Sequence, residues 1–575
     1  MACPQAVHGG GGKAAALSQP THAMQEATTL PETGHPAPID GLAIKLYFWS
    51  RSPYVLAGLA ALILSIAGGV GWWLQAPDGF SHGRPDQAFI DELDKPQPDM
   101  ARVLELLAGF QHQETGRLGR ILAAVRFSDP SERILRSQLS KDEKAVAVAY
   151  ADSLLAYDGD PGADLLWLAH QVKPLPHANE LVADLHASGK ATDKARQYYE
   201  RELRFTPGAS AARAKMIALF HERRDYAAIE RALADPAFKA EQTPKLALQV
   251  AVAGHRWGGL ARPVTAIWRG YMAPLPLALA ALAGLVWLVI VLQVGQPQGL
   301  VCFRTAVPLL AVVAGMASTW ATLCAVFWQD EMWGLKQTGE IFGDAAYFIA
   351  GVGLREELVK LVFFLPFVPL LLARKNRLET IITAGCVGLG FAAAENLIYF
   401  ASAGPAAAFG RFLTANFMHT AMTGIIGLAF CDALTQPLKK GWVFLVTLPA
   451  VVLVHGLYDL ILSLPVETAK EKAGLACLAG MLFILLALFF FHQLRPLRDA
   501  ATDQVNIAAI LIAGLSILTG VIFVCAAHQL GFAFAVFCLL AQVFVLGMIA
   551  YMFYWQLGEG LSLAAQEQEK PRYSL

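Results

Sequence analysis

The chain has 575 residues, 55% of them hydrophobic and only 16% charged, with a mean hydropathy of +0.45. That balance places it with multi-pass membrane proteins. A formal net charge of -1 offers no electrostatic basis for a nucleic-acid partner. The eight cysteines show no metal-ligand spacing, and residues 76–268 contain none, which argues against a disulfide framework or a zinc ribbon.

In chain order, residues 1–50 are rich in Gly and Ala, lack a periodic apolar face and read as a disordered tail. A helix needs about 20 apolar residues to cross a bilayer. Ten stretches qualify: 53–74, 271–293, 305–328, 353–373, 380–402, 411–431, 442–464, 473–492, 505–527 and 530–554. Nine is the alternative, because the last two are joined by a very short turn. Residues 341–352 (IFGDAAYFIAGV) are too short to cross alone and read as an extension of the fourth span or a re-entrant piece.

Lys and Arg follow the fourth, sixth, eighth and last spans (Arg374, Lys375, Arg377; Lys439, Lys440; Arg495, Arg498; Lys570, Arg572), and the intervening loops are poorer. By the positive-inside rule both termini are then cytoplasmic and residues 76–268 lie outside. That outer region is helical by pattern, with many Ala, Leu, Glu and Arg. Its paired helices resemble tetratricopeptide hairpins, although no clean 34-residue repeat aligns. The expected fold is therefore all-α: a polytopic bundle of about ten spans with a helical, tetratricopeptide-like domain inserted after the first. The expected divisions are a cytoplasmic tail (1–50), the first span (51–75), the outer domain (76–268), spans two and three (269–340), a membrane core (341–465), C-terminal spans (466–556) and a second cytoplasmic tail (557–575).

Ionisable side chains at bilayer depth are costly and face a cavity or a partner. Four consecutive spans carry them. The fourth has Glu356, Glu357 and Lys360, and the fifth has Glu395 and Asn396 with Tyr399. The sixth has His419, and the seventh has His455 and Asp459. Spacing pairs Lys360 with both glutamates at i,i+3 and i,i+4, Glu395 with Tyr399, and His455 with Asp459, which is placed to orient the imidazole. At about 1.5 Å per residue, the groups fall roughly 18–25 Å above the inner edge, one layer in the outer half. That agreement points to one site.

The motifs REELVK, AAENLIYF, FMHT and HGLYD on successive spans resemble the PrsW family of intramembrane proteases, itself similar to the CAAX-processing group. The resemblance covers roughly residues 305–465. It departs from the wider group in lacking Phe-x-x-x-His, because Ala415 stands where the Phe would be. It implies Glu356, Glu357, Glu395, His419 and His455 as catalytic residues, supported by Lys360, Asn396, Tyr399 and Asp459. Peptide hydrolysis needs a base for water, carbonyl polarisation and a proton for the amine. Glu356 or Glu357 is the base, His419 a water ligand or proton donor, and His455 with Asn396 an oxyanion support.

His419, His455 and Glu357 also make a set that would hold a divalent metal such as zinc. The metal-free glutamate route of the CAAX relatives stays equally open. The resemblance further implies a bacterial inner-membrane location and cleavage of a single-span membrane protein, such as an anti-sigma factor, near the outer face. The rival is a proton-coupled transporter that uses the same Glu, His and Asp as a relay. No duplicated halves support it.

Overall fold

The structure is a computed structural model that describes residues 45, 48–74, 85–113, 130–154, 162–206, 208–295, 303–404, 406–465, 468–498 and 506–557. Apart from a few residues, the expected tails at 1–50 and 557–575 lie outside these, as do Cys3 and Cys302. All regular structure among the described residues is helical.

The principal membrane helices are α1 (Pro53–Leu74), α2 (Pro274–Gly295), α3 (Phe303–Trp333), α4 (Leu354–Phe364), α5 (Arg377–Ala403), α6 (Ala415–Thr435), α7 (Pro437–Ser463), α8 (Ala469–Leu494), α9 (Ile507–Leu530) and α10 (Phe532–Trp555). Eight helices among the described residues are long and apolar enough to cross a membrane, and each matches an expected span. The two expected spans outside that set are 530–554, which forms α10, and 353–373.

Residues 353–373 are not one straight helix. A short helix, Ile341–Ala346, runs into a π-helical turn at Tyr347–Gly353, then α4, a 3-10 turn at Leu365–Phe367, and a last helix at Val368–Arg374. Pro366 and Pro369 each lack an N–H and crowd the preceding turn, so the α-helix cannot continue through them. Residues 341–352 therefore extend the fourth segment.

The centre of the bundle is α5 with α6. In its apolar stretch 83% of α5 is buried, against 17% for α1 at the periphery. Small residues let α5 approach its neighbours backbone to backbone. A methyl group on Gly388 would sit 2.1 Å from the carbonyl oxygen of His419 on α6, and one on Gly390 would sit 2.0 Å from that of Val312 on α3. The first span closes the bundle from the far end of the sequence, because α1 packs against α9.

Between α1 and α2 lies a helical domain with two apolar clusters. One surrounds Phe89, Leu104, Ile134, Val146 and Leu168. The other surrounds Ala195, Tyr199, Ile217, Ile229 and Leu246. Asp225 and Thr243 cap two of its helices by accepting from the backbone N–H of Ala228 and Leu246. The helix Ala261–Tyr271 crosses the expected boundary at 268. The domain seats on the end of α3. Arg224 donates to the carbonyls of Asp330 and Glu331, each at 2.7 Å, and the Tyr226 hydroxyl donates to the Glu331 carboxylate at 2.5 Å.

Candidate active site

The charged turn of α4 points inward: Arg355, Glu356, Glu357 and Lys360 are all buried. Lys360 has no exposed surface and holds the cluster together. Its Nζ donates to Glu357 Oε1 at 2.8 Å and to His419 Nδ1 at 2.9 Å, lies 3.5 Å from Glu356 Oε2, and sits 4.1 Å from the centre of the Phe391 ring. Full burial of an ammonium is tolerable when carboxylates and an aromatic face replace water.

The hydrogen bonds define both imidazoles. An ammonium only donates, so His419 accepts at Nδ1 and carries its hydrogen on Nε2, which donates to Glu395 Oε2 at 3.0 Å. A carboxylate only accepts, so His455 donates from Nδ1 to Glu357 Oε1, also at 3.0 Å. Its Nε2 faces Asp459 Oδ2 at 3.5 Å and Glu356 Oε2 at 3.7 Å. The ring centres of the two histidines are 5.3 Å apart. Each histidine thus has one nitrogen held by a carboxylate and the other turned toward the cluster.

Glu356, His419 and His455 each offer a ligand atom within 4.8 Å of the others, a group able to hold a metal ion. Two histidines and one carboxylate are a known catalytic metal set. A second observation agrees: Glu356 Oε2 and Glu357 Oε2 are buried with no hydrogen-bond partner. Buried polar atoms left unsatisfied are rare and call for a cause. The donors fit a divalent metal, on the condition that Lys360 gives up His419 Nδ1.

The site differs from the sequence reading in four places. The metal-sized group takes Glu356, where Glu357 was expected, because Glu357 is tied to Lys360 and His455. Asp459 is farther from His455 than Glu357 is, so Glu357 is the main orienting group. Asn396 is fully engaged, accepting from Arg411 Nε at 2.7 Å and donating to Asn416 Oδ1 at 3.1 Å. Tyr399 lies beneath the Arg411 guanidinium, 3.7 Å from ring centre to Cζ. Lys360 pairs with the glutamates as its i,i+3 and i,i+4 spacing anticipates.

Residues 305–492 match the family model of the PrsW family intramembrane metalloproteases. Over these residues the chain is similar to the PrsW family. The match takes in α4 to α7, and so every residue of the cluster, but not the helical domain. The membrane core is thus an intramembrane peptidase. No curated protein and no solved structure matches the chain.

Three PrsW-domain residues were missed in the sequence. Arg411, the first residue of the expected span 411–431, donates to Glu395 Oε2 at 2.6 Å. Gln329 accepts from Arg355 Nη1 at 2.8 Å and ties α3 to the charged turn. Asn416 anchors Asn396. Arg411 was detectable as an arginine within reach of an intramembrane glutamate. The uncharged pair carried no comparable signal.

Two backbone contacts set the position of the turn. A methyl group on Gly456 of α7 would sit 2.5 Å from Ile349 Cα, and one on Gly353 would sit 2.7 Å from the Val452 carbonyl oxygen. The π-helical turn therefore lies directly on α7, beside His455. π-Turns occur often at functional sites.

Proposed function

We propose that the PrsW domain hydrolyses a peptide bond in a single-span membrane protein, such as an anti-sigma factor, in the half of the bilayer nearer the helical domain. That domain would lie outside the cytoplasm of a bacterial inner membrane, with both termini inside. The supporting observation is the buried Glu356 Oε2, which accepts no hydrogen bond, beside two histidines whose other nitrogens are fixed by carboxylates. Depth is supported by Gln329, which contacts Arg355 one residue before the Asp330 that receives Arg224.

Glu356, His419 and His455 would hold a divalent metal, with zinc favoured by the donor set. When bound, the metal supplies Lewis-acid polarisation of the scissile carbonyl and of water. Glu357 Oε2 takes a proton as water oxygen bonds to the carbonyl carbon. The C–N bond then breaks, and the same carboxyl returns the proton to the departing amine. Lys360 and His455 hold Glu357 Oε1 throughout, which fixes the carboxyl's orientation.

The test is cleavage of tagged single-span proteins in liposomes by wild type and by Glu356→Gln, with and without a chelator. Cleavage by wild type, lost in the variant and on chelation, is the expected result. Equal cleavage by both proteins would overturn the assignment. Absence of cleavage, together with a proton flux that Glu356→Gln abolishes, would favour the transporter.

A further inference from the structure

We infer that Arg411 is a positioning residue of this site, acting on His419 through Glu395; the inference deepens the reading above and rests on it. Arg411 leads into α6 two helical turns before His419, across a break at Thr414. Its guanidinium makes two directed bonds at once, Nη2 to Glu395 Oε2 at 2.6 Å and Nε to Asn396 Oδ1 at 2.7 Å, and it rests on the Tyr399 ring. Asn396 is anchored in turn by Asn416. The carboxylate so fixed is the one that accepts the Nε2 hydrogen of His419.

Glu395 therefore plays for His419 the part Glu357 plays for His455. Together with Lys360, which donates to Nδ1, it selects the ring tautomer, and it turns Nδ1 toward the cluster. A carboxylate behind a metal-binding histidine is commonly worth about 10–100-fold in metal affinity or activity. Here the carboxylate needs its own support, because it sits on α5 within the apolar segment AAAENLIYF. Arg411 supplies both charge and direction. A lysine would supply the charge but could not reach Glu395 and Asn396 together.

The experiment compares wild type, Arg411→Gln, Arg411→Lys, Glu395→Gln and the Arg411→Gln/Glu395→Gln double variant in liposomes. Three quantities are read: kcat and KM on a cleaved single-span substrate, Co(II) affinity from its visible spectrum, and the His419 15N signals of histidine-labelled protein. His419→Gln assigns those signals. Arg411→Gln should lower kcat and Co(II) affinity by about 10–100-fold with KM little changed, and Arg411→Lys should fall between it and wild type. The double variant should be no worse than Glu395→Gln alone. The 15N signals should move from one Nε2–H tautomer to a mixture.

An unchanged His419 signal in Arg411→Gln, or losses that multiply in the double variant, would overturn the inference. Should Arg411→Gln fail to fold, the same signal in Arg411→Lys decides. A wild type that binds no Co(II) would sink the metal reading alone, because the tautomer is read without metal.

Discussion

The chain sets a lysine between two carboxylates twice, half-buried in the helical domain and fully buried in the membrane. In the domain, Lys215 Nζ lies 2.6 Å from both Glu180 Oε1 and Asp184 Oδ2. The other two oxygens are also engaged: Glu180 Oε2 by His177 Nδ1 at 2.8 Å and Asp184 Oδ1 by the Tyr199 hydroxyl at 2.7 Å. Neighbouring Glu202 accepts from the backbone N–H groups of His177, Asn179 and Glu180. Every oxygen of the two paired carboxylates is satisfied, and the cluster joins three helices. In the membrane, Lys360 donates to Glu357 Oε1, while Glu357 Oε2 and Glu356 Oε2 are buried without a hydrogen bond. Two similar charge patterns thus part on satisfaction: the complete network holds a fold, and the incomplete one keeps lone pairs for chemistry.

The comparison is broken most directly at the two buried oxygens that accept no hydrogen bond. Glu356→Gln should abolish metal binding and lower cleavage by about 10³-fold or more, near the upper range for a lost reacting group. Glu357→Gln should lower kcat by about 10²–10⁴-fold yet retain Co(II). Measuring metal content and kcat on the same preparations separates holder from base. If Glu357→Gln loses the metal and Glu356→Gln keeps it, the two roles are reversed.

Much of this contrast was legible in the sequence. Charged residues inside apolar runs flagged α4 to α7, and helical spacing paired Lys360 with both glutamates. Depth counting placed Glu357, Glu395, His419 and His455 in one layer. Spacing along a single helix could not decide contacts between helices. That is why Asp459 looked like the partner of His455, when Glu357 from another helix comes closer. Residues 353–373 read as one span, and the break at Pro366 and Pro369 is a feature of the structure. The π-turn was not legible, because it depends on Gly353 and Gly456 meeting across two segments far apart in sequence. Arg411 opens the expected span 411–431, where a positive residue usually marks only the membrane edge.

That glycine contact gives the next test. A methyl group at Gly456 would meet backbone, Ile349 Cα at 2.5 Å and the Phe348 carbonyl oxygen at 2.7 Å, and backbone cannot rotate aside. Gly456→Ala should cost about 1–3 kcal/mol in overpacking and push the π-turn from α7. The Glu357–His455 contact would then lengthen, lowering kcat by about tenfold, the low end for a lost orienting group. Gly441→Ala, on the same helix but facing open space, serves as control and should leave cleavage unchanged. Equal activity of the two variants would mean that the turn does not set the site.

The smallest effect on activity is expected from the satisfied cluster. Lys215→Met removes the shared partner of Glu180 and Asp184 but touches nothing in the membrane. It should weaken the domain by about 2 kcal/mol, below the ~3–5 of a fully buried pair because Lys215 is over a third exposed. Hydrogen exchange over residues 177–219 of the full chain reads this loss, while kcat stays at the wild-type value. The pH dependence sharpens the point. Burial works against the Lys215 charge, but the two carboxylates outweigh it and raise its pKa. Its stabilisation is therefore complete below the ordinary lysine range of about 10.4 and fades as pH rises through the higher folded value. In acid, burial pushes Glu180 up, yet His177 and Lys215 outweigh it and lower its pKa, so its contribution fades as pH falls through that lowered value. Asp184 is raised, chiefly by burial, and gains stability on acidification, so the acid limb is shallow. Wild type should lose protection on the alkaline side, and Lys215→Met should not. A fall in kcat with Lys215→Met at neutral pH would mean that the domain's cluster also serves catalysis.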